Sequence, residues 1–153
     1  MNDIEQLRAI EEIKMVKARY FRGVDTSDSK LVRSVLADDC VLDYMGCCTD
    51  PKTGRDYLPT MNVVMRGSAS WSEGGMAAFG IVSTHHGHLG EVTLTSDTTA
   101  SAIWPFTDRL YMPAGAPFSA VIGHGYYHET YEKTGGHWKI KTLRIQRIRV
   151  EAS

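Results

Sequence analysis

Two turn signals near the end of the chain constrain the fold more than any other feature. Pro113-Ala114-Gly115-Ala116-Pro117 and Thr134-Gly135-Gly136 separate three runs rich in aromatic and β-branched residues, 101–108, 123–131 and 138–145. Runs of that composition joined by such turns read as the antiparallel strands of a meander. Asp108, His128 and Arg144 lie among their apolar residues. Charged groups on strands that must also bury an apolar face imply a cavity rather than a plain core.

The preceding residues read as helices first and strands afterwards. Residues 3–22 form an amphipathic helix capped by Asn2 or Asp3, with Ile13, Val16 and Tyr20 on one face and Gly23 ending it. Asp28 caps a second short helix with Leu31, Val35 and Leu36 on its apolar side. A strand over Cys40–Met45 follows, then a loop from Gly46 to Pro59 rich in Gly, Pro, Asp and Thr. The pattern predicts a third helix between Ser68 and Phe79, weakened by Gly74 and Gly75. Strands follow at 81–86 and 91–95, with a bend at Ser96-Asp97. This order is an α+β layout, a curved antiparallel sheet closed on one side by N-terminal helices around a conical pocket.

Composition sets the bounds. The 153 residues suffice for one domain spanning 1–153, and 42% apolar and 23% charged residues are ordinary for a globular chain. With 17 Lys and Arg against 18 Asp and Glu, nothing points to a nucleic-acid partner. No run is long enough for a membrane helix, and the polar N-terminal helix does not read as a signal sequence. Three cysteines, two of them adjacent, do not make a disulfide framework, so a reducing, cytoplasmic location is expected. No nucleotide-binding glycine fingerprint follows a strand, and no cofactor is expected.

Three local patterns resemble the SnoaL-like branch of the nuclear transport factor 2-like superfamily. They are Ala18-Arg19-Tyr20-Phe21-Arg22-Gly23-Val24-Asp25 with Leu36-Ala37-Asp38-Asp39-Cys40, then Thr84-His85-His86-Gly87-His88, then Gly125-Tyr126-Tyr127-His128-Glu129-Thr130-Tyr131 with Gly136-His137-Trp138-Lys139-Ile140. The nearest pattern is that of the dehydratases typified by bile acid 7α-dehydratase and, more distantly, scytalone dehydratase. The resemblance implies a cone and a catalytic set of Tyr20, Asp25, His85, Asp108 and Arg144, with Arg147 as rival for the arginine. It equally covers non-catalytic ligand-binding or scaffold members and the small subunit of ring-hydroxylating dioxygenases, because fold does not fix function.

The residues themselves carry part of this reading. His85 can accept a proton while Asp108, on the next strand, holds its far ring nitrogen. Alternation puts Asp108 on the face of Ala102, Trp104 and Phe106. Gly87 and Gly90 leave open a bulge that would turn His86 inward instead. The cluster His85, His86 and His88 lacks further ligands at metal-site spacing, and no metal is expected. Tyr20 is in phase with the apolar helix face, and Asp25 follows the helix-ending Gly23, where Asp serves as a turn or cap residue. In the elimination that the resemblance implies, Asp25 positions the leaving hydroxyl or assists its protonation. Arg144 is in phase with Trp138, Ile140 and Thr142, whereas Arg147 and Arg149 fall on the opposite, solvated phase. Either Tyr127, Glu129 and Tyr131 or Tyr126, His128 and Thr130 line the cone. Trp104, Tyr127 and His86 are the expected substrate contacts.

The expected activity is therefore a cofactor-independent dehydratase or isomerase acting on a hydrophobic hydroxylated molecule such as a steroid, terpenoid or polyketide. A homo-oligomer, dimer or trimer, is expected to form through the outer sheet, where Leu143, Ile145 and Ile148 are placed by their phase.

Overall fold

The computed structural model describes residues 1–153. Helix α1 spans Asp3–Asp25 and opens with a reciprocal cap, the Asn2 side chain accepting from the Glu5 backbone N–H at 3.0 Å and Glu5 accepting from the Asn2 backbone at 2.7 Å. Its buried stripe is Ala9, Ile13, Val16, Lys17, Tyr20, Phe21 and Val24, a helical period that includes one lysine. The helix continues two residues beyond Gly23. A Cβ at Gly23 would meet the Val32 side chain at 2.7 Å, so the glycine lets helix α2 (Ser29–Ser34) pack closely rather than ending α1. That extension carries Asp25 over the sheet.

Seven strands follow: β1 (Leu36–Asp43), β2 (Val64–Arg66), β3 (Val82–Gly87), β4 (Glu91–Leu94), β5 (Thr99–Tyr111), β6 (Ala120–Thr134) and β7 (His137–Ala152). They form one sheet in the order β2-β1-β7-β6-β5-β3, with β4 also paired to β5 and β1 running parallel to β7. The meander is present, longer than its apolar runs alone indicated. Between β2 and β3 there are only short 3₁₀ turns at Ser68–Ser70 and Gly75–Phe79, where a third helix was expected. Gly74 at φ 78° and Gly75 at φ 47° occupy the left-handed region, which interrupts a right-handed helix.

Strand β7 carries the largest departure from simple alternation. Its pairing with β6 passes from Thr130–Thr142 to Tyr131–Ile140, leaving Lys141 as an extra residue, and from His124–Arg149 to Gly125–Arg147, leaving Ile148 as another. Each bulge reverses the inward and outward sides. Trp138 and Ile140 face in, then Leu143 and Ile145, then Val150 beyond the second bulge, and all five are buried. Leu143 and Ile145 therefore belong to the core and not to an outer apolar face. Arg144, expected inside, is exposed, and Arg147 turns into the cone with its side chain 6% exposed. Of the two alternatives on β6, Tyr127, Glu129 and Tyr131 line the interior, while His128 bonds Gln146 on the outer side.

Candidate active site

Between α1, the concave face of the sheet and the loop 44–79 lies a cavity of about 270 Å³, most of whose lining is hydrophobic. Met61, Met65, Trp71, Met76 and Ile145 form its apolar walls with the rings of Tyr20 and Tyr44, and His85, Asp108 and Arg147 supply its imidazole and its charged side chains. The loop that closes one side is pinned to the sheet through the fully buried Asp50, whose carboxylate accepts from the Val150 backbone and from Arg149.

His85 and Asp108 are direct cross-strand neighbours on β3 and β5, yet they do not bond each other. The His85 Nε2 to Asp108 Oδ2 distance is 3.9 Å, too long for a hydrogen bond. The carboxylate that orients the imidazole is Asp25. Its Oδ1 lies 2.6 Å from His85 Nδ1 and also accepts from Ser83 Oγ at 2.9 Å, and its Oδ2 accepts from the His85 backbone N–H at 2.7 Å. An ionised carboxylate only accepts, so Nδ1 carries the proton, and in the neutral ring Nε2 presents its lone pair. Asp25 is thereby committed to the ring and its neighbours, which corrects its assignment to a leaving hydroxyl. The Phe21 ring stacks on the imidazole, centroids 5.4 Å apart at 17°, filling space that a Cβ at Gly87 would occupy.

Asp108 pairs instead with Arg147 through two parallel bonds of 2.8 and 2.9 Å, and Arg147 Nε donates to the Cys47 carbonyl at 2.6 Å. This fork holds the guanidinium in one orientation. The space behind it exists because residue 123 is glycine. A Cβ there would collide with the Arg147 guanidinium and the Asp108 carboxylate. Gly123→Ala is expected to cost about 1–3 kcal/mol and to displace the fork, read as a lower urea midpoint and a shifted Arg147 Nε–H resonance.

The Tyr20 hydroxyl meets that of Tyr44 at 2.5 Å. Burial holds Tyr20, Tyr44 and Tyr127 protonated well above the usual phenol range, which keeps them available as hydrogen-bond donors. Behind Tyr20 and Tyr127 runs a second buried polar chain. Lys17 Nζ bonds Glu129 at 2.6 Å and lies 3.4 Å from the centre of the Tyr127 ring; the Tyr131 hydroxyl donates to Glu129, and Trp104 Nε1 donates to Tyr131 at 3.0 Å.

Burial lowers the Lys17 ammonium to about 8, against the opposing pull of Glu129. Between that value and the ordinary lysine value near 10.4, the unfolded chain binds a proton at Lys17 that the folded chain has released. Stability contributed by this position therefore rises with pH across that window. The stability difference between wild type and Lys17→Met should shift toward wild type from pH 8 to 10, measured by urea unfolding at each pH; a flat difference would contradict the burial effect.

The structure brings Tyr20, His85, Asp108 and Tyr127 together at the cavity, with Asp25 directly behind His85. It places three expected residues elsewhere. Arg144 is on the exposed side because of the bulge at Lys141. His86 points outward from β3, since no bulge interrupts that strand. Trp104 faces inward but is held in the core by Tyr131 and the close approach of Gly90, away from the cavity lining. Tyr44, Cys47, Cys48 and Lys17 were not anticipated as members of the site or its support, and Glu129 only within one of two alternative sets. Lys17 is detectable in retrospect from its place among Ile13, Tyr20 and Val24, and Glu129 from its alternation with Tyr127 and Tyr131.

The model of the SnoaL-like domain matches residues 5–144. Among solved structures, a scytalone dehydratase-like protein of Novosphingobium aromaticivorans superposes with a TM-score of 0.77 at 17% identity, covering 100% of this chain and 92% of that one. A type 2 hexachlorocyclohexane dehydrochlorinase gives 0.76 at 15% identity, covering 99% and 93%. A type 3 enzyme of that name from Novosphingobium barchaimii gives 0.71 at 15% identity, covering 99% and 94%. At such identities the likeness is one of fold. No helix is long and apolar enough to cross a membrane.

Proposed function

The chain belongs to the SnoaL-like family, and from that membership together with its cavity we propose that it is a cofactor-independent lyase or isomerase acting on a hydroxylated cyclic ketone. The observation that carries the proposal is the His85 imidazole, protonated at Nδ1 by its bond to Asp25 and offering Nε2 to an apolar cavity. A base needs a free lone pair and a fixed tautomer, and the bond to Asp25 together with the apolar lining supports that role for His85. The dehydratase-like and dehydrochlorinase structures of the same fold support an elimination in particular.

In the elimination, Nε2 removes a proton from the carbon next to the carbonyl. The Tyr20–Tyr44 hydroxyl pair donates to the oxygen as enolate charge develops there, where preorganised donors give most benefit. The imidazolium, stabilised by Asp25, then returns its proton to the departing β-hydroxyl, which leaves as water. The Asp108–Arg147 fork closes the polar side of the site and keeps its own charges balanced. Return of the proton to carbon instead of oxygen would make the same site an isomerase.

A cavity of about 270 Å³ falls just under the roughly 300–1,000 Å³ usual for ligand pockets. That size favours one or two fused rings, of polyketide or terpenoid type, over a four-ring steroid. Self-association through the outer side of β5, β6 and β7 is part of the proposal, checked by sedimentation equilibrium.

The test is a panel of bicyclic β-hydroxy ketones in heavy water, followed by NMR and by enone absorbance. Appearance of the enone identifies a dehydratase. Deuterium at the α-carbon without loss of the hydroxyl identifies proton transfer alone. Bound ketones that neither exchange nor eliminate would show the cavity to be a non-catalytic ligand site.

A further inference from the structure

Two thiols stand in the cavity wall and take no part in this proton transfer. Cys47 and Cys48 follow one another in the turn after β1, their sulfurs 3.9 Å apart and neither in a disulfide. Both line the cavity together with Asp108 and Arg147. The Cys47 carbonyl is also the backbone anchor of Arg147 Nε, at 2.6 Å. The dithiol backbone and the guanidinium are therefore one mechanical unit. Cys47 Sγ donates to Cys48 Sγ and, at 3.6 Å, to the Met61 carbonyl. The contact between the two sulfurs draws the Cys47 thiol below its usual range against the effect of burial, with Arg147 assisting, and pushes Cys48 far up. Two thiols in direct contact, one more acidic than the other, are an arrangement in which an oxidised sulfur is captured by its partner.

We infer that Cys47 and Cys48 form a reversible oxidation site for a hydroperoxide entering the cavity, and that closing their disulfide frees Arg147 from its backbone anchor. The Cys47 sulfur attacks one peroxide oxygen; the O–O bond breaks, an alcohol (or water, from hydrogen peroxide) departs with a proton, and Cys47 becomes a sulfenic acid. The Cys48 sulfur then attacks that sulfur. The S–O bond breaks, hydroxide leaves as water with the Cys48 proton, and the S–S bond forms. The dithiol loses two electrons and two protons to the peroxide.

Consecutive Cα atoms lie about 3.8 Å apart across a trans peptide, closer than the roughly 4.4–6.8 Å usual across a disulfide. Closure must also bring the sulfurs from 3.9 Å to about 2.05 Å around a small ring that contains the Cys47–Cys48 peptide, so that peptide turns and the carbonyl that holds Arg147 moves with it. The thiol chemistry is independent of the elimination proposed above, so its test needs no substrate.

Reduced protein treated with hydrogen peroxide should lose the mass of two hydrogens, and differential alkylation should place the protected thiols at Cys47 and Cys48, with full reversal by dithiothreitol. The Arg147 Nε–H resonance should shift on oxidation and return on reduction. In Cys48→Ser the reaction should stop at a Cys47 sulfenic acid trapped by dimedone. Free, alkylatable thiols at both positions after peroxide would overturn the inference, as would over-oxidation of Cys47 with Cys48 still free. A disulfide that leaves the Arg147 resonance in place would overturn the coupling to the fork.

Discussion

His85→Ala is expected to lower turnover of whichever ketone the panel identifies by about 10²–10⁴-fold, with the melting temperature close to that of wild type. The imidazole lies at the cavity edge, stacked on Phe21 and held by Asp25, and its loss removes the proposed base without cutting into the core cluster. The fall should appear in kcat more than in KM, because the lost interaction belongs to the transition state. Asp25→Asn should follow it. An amide can turn its NH₂ toward Nδ1 and favour the tautomer with the proton on Nε2, which cannot accept another. A His85→Ala protein with undiminished turnover would remove the histidine from the chemistry, and an Asp25→Asn protein with full turnover would remove the tautomer argument.

The second large effect is on stability. Lys17→Met is expected to destabilise the protein by about 3–5 kcal/mol, because it leaves Glu129 charged and buried without its cation. The Lys17 and Glu129 side chains are 3% and 0% exposed, so solvent cannot replace the lost partner. Lys17 also lies over the Tyr127, Tyr20 and Phe21 rings, contacts that the methionine keeps only in part. With total stabilities of about 5–15 kcal/mol typical of single domains, the single variant should be marginal at 37 °C. Lys17→Met/Glu129→Gln should recover most of the loss, since the buried charge is gone and the glutamine oxygen still accepts from the Tyr131 hydroxyl. Urea unfolding of wild type, both single variants and the double variant measures the coupling directly. A single variant within 1 kcal/mol of wild type would show that the ion pair contributes little.

The architecture was legible because it rests on signals local to the chain. Turn residues bracket the long strands, period-2 alternation survives along all of β5, and a strong N-terminal cap starts α1. Inward placement of Asp108 followed from the same alternation. The arginine could not be found that way. Lys141 and Ile148 each add a residue to β7, so any phase counted from Trp138 inverts before position 144 and selects Arg144 over Arg147. Nothing in the neighbouring sequence marks a bulge at a lysine.

The partner of His85 was misassigned for a different reason. Asp108 is indeed its cross-strand neighbour, but Asp25 reaches it from α1 only because that helix runs through Gly23, a residue that ordinarily signals a helix end. Whether a glycine stops a helix or makes room for Val32 depends on tertiary packing, which local reading does not contain. Cys47 and Cys48, Tyr44 and the Met61 region reach the cavity through an irregular loop, where no periodicity exists to place a side chain.

The central claim is that Asp25 fixes the His85 tautomer so that Nε2 faces the cavity unprotonated. ¹⁵N NMR of the histidine ring nitrogens at neutral pH, with His85 assigned by its absence in His85→Ala, measures this directly. The account predicts a proton on Nδ1, coupled to the Asp25 carboxylate, and a bare Nε2. A proton on Nε2, shared toward Asp108 across the 3.9 Å gap, would contradict it.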